Sequence, residues 1–224
     1  MKDKIKIILL AILLVISLIT VYIKTNNTND AIKFKKEYES LNNKTNTSGK
    51  QYLTVNINKN NKIKYATYEE IVEILTSKSG VIYFGFPECP WCRNAITPLL
   101  EAADETNINI YYFNALSIRD KKHLDENGNI ITDEEGTEEY KKLIQLMYDS
   151  LGAYEGLKDE TIKRLYFPTV VFIQDGKIIN IHIGTLDEQE DPYTPLTDSQ
   201  KSQLKNIYKS NISKISETTC TDKC

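Results

Sequence analysis

Glycine, proline and tryptophan are scarce, at 9, 6 and 1 of 224 residues. That excludes a collagen-like or low-complexity polymer and leaves an ordinary folded domain. Charge of one sign is lacking too: 28 basic against 31 acidic side chains give a formal charge of −3, mixed along the chain. With no basic footprint, no nucleic-acid partner is expected, and no acidic block makes a solvating tail. Of the two histidines, His123 and His182, each is isolated in the sequence. Both are expected in core or surface positions, and nothing supports a Cys-His hydrolase. No internal repeat occurs.

One long apolar run stands against these absences. "MKDKIK" is followed by "IILLAILLVISLITVYI", Ile7 to Ile23, with only Ser17 and Thr20 as mild polar members. At about 1.5 Å per residue it spans roughly 25 Å, the short end of a bilayer-crossing helix. No small-x-small cleavage pattern follows it and no cysteine ends it, so an uncleaved anchor is favoured over a removed signal or a buried core helix. Lys2, Lys4 and Lys6 keep residues 1–6 cytoplasmic by the positive-inside rule, although Lys24, Lys33, Lys35 and Lys36 oppose that bias. The expectation is a single-pass cell-membrane protein whose main domain is extracytoplasmic. Disulfides are permitted there, which bears on the four cysteines, Cys89, Cys92, Cys220 and Cys224.

Residues 24–50 read as a linker holding one loosely docked helix, with Phe34, Tyr38 and Leu41 at helical spacing. One compact domain over 51–215 follows, and 216–224 form a cysteine-containing tail. "YLTVNIN", Tyr52 to Asn58, alternates as a strand does. "TYEEIVEILTSKSG" opens on a Thr67/Glu70 capping box, carries Ile71, Ile74 and Leu75 on one face, and is expected to end at Gly80. "VIYFGF", Val81 to Phe86, is apolar without alternation, as for a strand buried on both faces. After the first cysteine pair, Ala95, Ile96, Leu99, Ala102 and Ala103 mark a helix, which Pro98 is expected to kink. "NINIYYFNA", Asn107 to Ala115, makes a further strand and completes a parallel strand-helix-strand unit.

A polar insertion follows at about 116–164. In "DENGNIITDEEG", Asp125, Asn127 and Asn129 alternate as in a calcium loop, but Ile130 stands where that loop needs glycine and Gly136 where it needs glutamate. A hairpin turn at Asn127-Gly128 is favoured instead. "TEEYKKLIQLMYDSLGAY" is expected to be helical, with Tyr140, Leu143, Ile144, Met147 and Leu151 facing one way. "FPTVVFIQDGKIINIHIG", Phe167 to Gly184, reads as a hairpin about Asp175-Gly176. A terminal amphipathic helix begins near Thr197 and carries Leu204, Ile207 and Ile212.

Three readings compete for Cys89 and Cys92: a redox centre, half of a zinc site completed by Cys220 and Cys224, and a structural disulfide. The zinc reading is disfavoured because the pair lies between a buried strand and a helix rather than in glycine-rich loops. So short a loop gains little from closure as a staple. Redox chemistry suits the position. A cysteine at a helix start faces unsatisfied backbone donors and the positive end of the dipole, which can lower a thiol pKa from about 8.5 to roughly 3.5–7.5. Cys89 is then the nucleophile and Cys92, one turn along, the resolving thiol. Pro90 and Trp91 shape the exposed rim; Glu88 opposes thiolate formation and Arg93 favours it. No metal and no organic cofactor is expected.

"YFGFPECPWC" after a buried strand, with "FPTVVF", "DG" and a terminal helix downstream, resembles the thioredoxin superfamily over roughly residues 52–215. The apolar anchor, "EGTEEY" and the helical insertion are most similar to thioredoxin-like proteins of low-GC Gram-positive bacteria described as bacteriocin transport accessory proteins. The resemblance implies an α/β thioredoxin-like fold: a central mixed sheet flanked by helices, with a helical insertion. It also implies a cis bond at Pro168 beside the active pair and a Phe167 backbone that meets an extended substrate. The implied activity is thiol-disulfide exchange on protein or peptide thiols and disulfides, with a membrane partner recycling the pair. A non-catalytic accessory or chaperone subunit of a peptide or bacteriocin export system is the alternative. Two departures stand out: Tyr83 occupies the position of a buried acid in thioredoxin, and Pro98 falls one position late. Cys220 and Cys224 are either a surface pair, structural or idle, or a second redox pair that exchanges with the first.

Overall fold

In a computed structural model, residues 2–217 are described; nothing is described of residues 1 and 218–224, nor of the side chains at 2–4, 7, 19–24, 26–28, 216 and 217. The chain is a mixed α/β fold with a five-stranded central sheet flanked by helices. In spatial order the sheet runs β1 (Ile63–Tyr65), β3 (Ile110–Phe113), β2 (Gly80–Phe84), β6 (Thr169–Gln174) and β7 (Lys177–Ile183). The first three are parallel, and β6 and β7 are antiparallel additions.

β2 is buried at every position, and the pleat explains how it serves two cores at once. Val81 and Tyr83 point into one apolar cluster, Ile82 and Phe84 into the other. β6 does the same with Val170 and Phe172 against Val171 and Ile173. Helices α3 (Pro90–Glu105) and α5 (Asp198–Glu217) pack on each other and cover the first face. α2 (Tyr68–Thr76) and α4 (Glu138–Leu146) cover the second.

Local signals place several boundaries. Thr67 caps α2 in a full capping box with Glu70, but α2 stops at Thr76 and Gly80 opens β2 rather than closing the helix. Asp175 and Gly176 turn the β6–β7 hairpin with φ of 48° and 73°, the left-handed pair that a tight hairpin requires. A Cβ on Gly176 would also collide with the carbonyl of Thr76. The insertion holds the Asn127-Gly128 hairpin between β4 (Lys121–Leu124) and β5 (Ile130–Glu134). Its expected long helix is shorter, since α4 ends at Leu146 and a 3-10 turn follows over Tyr148–Ser150. α3 runs unbroken through a buried Pro98.

The largest departures lie at the N-terminal side. Residues 52–58 are not a strand of the sheet. Val55 and Ile57 are buried alternately, as in a strand, yet their backbone groups bond to side chains of α1 (Lys2–Glu39) and the turn after it. Asn42 brackets Val55 on both sides, at 3.1 and 2.8 Å; Glu39 accepts from the Ile57 N–H at 2.8 Å and Lys35 donates to its carbonyl at 2.7 Å. Those bonds satisfy the buried backbone without a neighbouring strand. Phe34 and Tyr38, expected on a loosely docked helix, are fully buried in the α3/α5 core.

The expected anchor over 7–23 also lies on α1. Among the described residues, however, no helix is long and apolar enough to cross a membrane.

Candidate functional site

The two neighbouring cysteines sit where β2 ends and α3 begins. Phe86 and Pro87 carry the chain out of the sheet, Cys89 is the N-cap with extended backbone, and Pro90 occupies the first helical turn, where its missing N–H costs nothing. The Cys89 carbonyl accepts the first helical bond from Arg93 N–H at 3.1 Å. Its sulfur does what a capping oxygen does elsewhere, accepting the Cys92 N–H at 3.2 Å. Both cysteines are free thiols.

Their exposures differ in the sense that matters. Cys89 retains 5 % of its surface and Cys92 none. Cys92 lies directly inside Cys89, and burial holds its thiol well above the usual range, reinforced by the hydrogen bond and charge of Cys89. A hydrogen bond from the Tyr83 hydroxyl and a backbone contact at Phe86 act in the opposite direction.

The opposite wall comes from the loop ahead of β6. The Phe167–Pro168 peptide is cis, and the Cys89 thiol donates to the Phe167 carbonyl at 3.6 Å. Phe86 meets the Phe167 ring edge-on at 5.4 Å, and Arg119 lies 4.9 Å over that ring. A cleft of about 350 Å³ adjoins, lined among others by Trp91, Phe167, Tyr166, Glu155, Gly184 and Asp187. Trp91 is half-buried: it packs on the second core and also forms a wall of the cleft. Pro90 is likewise half-buried.

Arg93 has a different task from the one its position suggested. Although it follows Cys92, its guanidinium turns inward and is 2 % exposed. It donates to the carbonyls of Leu53 at 2.6 Å, Tyr38 at 2.9 Å and Pro87 at 3.1 Å, and to Asn42 Oδ1 at 2.7 Å. That pins the end of α1 and the 52–58 segment to the start of α3. Glu88 is exposed.

The site thus joins Cys89, Cys92, Pro90 and Trp91 to Phe167 and Pro168. Cys220 and Cys224 lie outside the described residues. Among the described residues, no cluster of three or more His, Cys, Asp or Glu side chains could hold a metal ion. His123 pairs with Asp133 on the surface at 2.8 Å, and His182 is packed edge-on against Tyr208 at 5.3 Å. Sequence reasoning missed Tyr38, Tyr166 and Glu155. Tyr38 had a signal in its helical spacing with Phe34, whereas the two cleft residues sit in loops with no periodicity to mark them.

No protein-family model matches the chain, and no curated protein matches it. Among solved structures, a thioredoxin from Aeropyrum pernix is similar at 17 % identity, with a TM-score of 0.35, over 69 % of this chain and 86 % of that one.

Proposed function

We propose that the protein is a thiol-disulfide oxidoreductase acting on protein or peptide substrates through Cys89 and Cys92. The observation that carries this reading is the placement of Cys89 Sγ at a helix start, with the Cys92 N–H at 3.2 Å on one side and the Phe167 carbonyl at 3.6 Å on the other. Cys89, the thiol that reaches the surface, attacks a substrate disulfide. One substrate sulfur leaves as a thiol and the other stays bound to Cys89. Cys92 then attacks Cys89 Sγ, the substrate sulfur departs reduced, and the two protein thiols end as a disulfide. Run in reverse, the same steps oxidise a substrate dithiol. The direction follows from the potential of the pair against that of its partner.

Phe167, Pro168, Trp91 and Pro90 hold the substrate chain. A peptide in extended form lies along the Phe167–Pro168 backbone, and the cleft beside Trp91 takes a neighbouring side chain. No metal or organic cofactor enters the exchange, and the electrons come from a thiol or disulfide partner, placed here at the membrane.

The membrane placement is part of the proposal. Its support is the exposed apolar face of α1 from Ile8 to Leu18, where Leu10 is 71 % exposed, continued by the apolar residues 19–23 of the sequence. Residues 1–6 stay cytoplasmic and the domain faces outward. Resistance of the full chain to alkaline extraction from membranes tests this, and release into the soluble fraction would count against it.

Cys89→Ser tests the chemistry. Turnover of insulin disulfides by the parent should be lost in the variant. Equal turnover in both would leave the non-catalytic reading, a thioredoxin-like accessory or chaperone subunit of a peptide or bacteriocin export system.

A further inference from the structure

The cleft beside Cys89 is walled by aromatic rings and by carboxylates. Phe167, whose carbonyl faces the Cys89 sulfur at 3.6 Å, belongs to its lining, as do Trp91 and Tyr166. Glu155 and Asp187 reach the same cleft from separate segments, one from the insertion and one from the loop after β7. Both acids are exposed. Among the described residues, no lysine, arginine or histidine lines the cleft.

The backbone under each carboxylate is fixed to the rest of the site. The Glu155 N–H donates to the Tyr166 hydroxyl at 2.7 Å. On the other loop the Gly184 N–H donates to the Pro168 carbonyl at 2.8 Å, the Thr185 hydroxyl to Gln189 Oε1 at 2.6 Å, and the Gln189 N–H to the Leu186 carbonyl at 3.0 Å, so Asp187 sits within a closed turn. Neither carboxylate has an ion-pair partner among the described residues. The neighbouring cations are engaged elsewhere: Arg119 lies 4.9 Å over the Phe167 ring, and Arg164 lies 4.1 Å over Tyr154 and 5.6 Å over Tyr166. His182 bonds to the Thr185 carbonyl at 2.7 Å, and burial lowers its pKa, so it adds no charge at neutral pH.

A lysine or arginine side chain matches this lining from stem to head. Its methylenes lie on apolar surface while its charge stays in water, and a cation over a tryptophan or tyrosine face is attracted by the ring. The two carboxylates attract the same head and repel an acidic one. We propose that the cleft is a subsite for a basic side chain flanking the substrate cysteine, which makes cationic peptide segments the preferred substrates. Glu155 and Asp187 select the substrate and take no part in bond-making, which stays at Cys89 and Cys92. This proposal rests on the thiol-disulfide reading, and its test separates the two.

The probes are short peptides whose single cysteine is a mixed disulfide with 2-nitro-5-thiobenzoate, with lysine, arginine, leucine or glutamate placed one or two positions to either side. Cys89 of the reduced full chain attacks the peptide sulfur, and the coloured thiolate leaves. At one or more positions the lysine and arginine peptides should react about fivefold to thirtyfold faster than the glutamate peptide, with leucine between. Salt at about 0.5 M should shrink that ratio. Glu155→Gln combined with Asp187→Asn should bring it within about twofold of unity. Glu188→Gln combined with Glu190→Gln, on the same loop but outside the lining, should preserve it. Equal rates for all four side chains at every position, a ratio untouched by the first double variant, or a ratio lost equally in both double variants overturns the subsite. Failure of the underlying reading looks different: no peptide then reacts faster with the parent than with Cys89→Ser.

Discussion

The sulfur of Cys89 lies 3.6 Å from the carbonyl oxygen of Phe167, across 78 residues of chain. In the proposed exchange a substrate bound at Cys89 lies beside the Phe167 carbonyl. Cys92, behind it, has no surface of its own. Cys92→Ala should accordingly trap substrates as mixed disulfides on Cys89, seen as reducible adducts on gels, whereas Cys89→Ser should trap none. Comparable adducts on Cys92 in the serine variant would show that the inner thiol is reachable directly.

Arg93 is predicted to be a stability residue before anything else. Its removal takes one donor each from three carbonyls and the Asn42 side-chain oxygen in a nearly dry site. Arg93→Ala should cost about 3 kcal/mol in urea unfolding and expose the 42–55 segment to proteolysis. A loss of less than about 0.5 kcal/mol would remove the strap from the account of why α1 docks.

Stability should fall at both ends of the pH scale, for opposite reasons. Cys92, Tyr83 and Tyr38 hold their protons more tightly folded than unfolded, chiefly because burial disfavours their anions. The unfolded chain releases these protons above about pH 8.5 for cysteine and about 10 for tyrosine, so stability is full below about 8.5 and declines as pH rises. His182 is lowered, first by burial. Its unfolded form takes a proton near about 6.5 while the folded form resists, so its contribution is full above about 6.5 and is lost as pH falls. Urea midpoints of the reduced protein at pH 5.5, 7.5 and 9.5 should peak at the middle value. No decline between 7.5 and 9.5 would contradict a buried, protonated Cys92.

Gly176→Ala should destabilise by more than about 2 kcal/mol. Its φ of 73° is left-handed, and an added Cβ would meet the backbone at the end of α2. Gly128, also left-handed at 81°, has open space around it, so Gly128→Ala should cost only the backbone strain, about 1 kcal/mol. Thermal melts of the two variants side by side separate collision from strain.

Tyr208 carries a buried hydroxyl with no hydrogen-bond partner among the described residues. Tyr208→Phe should therefore be neutral or stabilising by up to about 1 kcal/mol. A clear loss of stability in the melt would reveal a partner for that oxygen.

Short-range features were the legible ones. The Thr67/Glu70 box, the Asp175-Gly176 turn and the apolar run of β2 each depend on residues a few positions apart. The strand expected over Tyr52 to Asn58 failed for a reason outside its own residues. Alternating burial was correctly indicated by Val55 and Ile57, but the hydrogen-bond partners proved to be Asn42, Glu39 and Lys35. An alternating pattern reports which side is buried and says nothing about what satisfies the backbone.

The same division runs through the site. Sequence alone determined that two cysteines would stand at the junction of a buried strand and a helix, because Pro90 and the flanking periodicities act locally. Tertiary structure alone decided that Arg93 turns inward and that Tyr38 meets Tyr83 across 45 residues. Each depends on groups far apart in the chain competing for the same buried donors and acceptors, and only the packed fold settles how they pair.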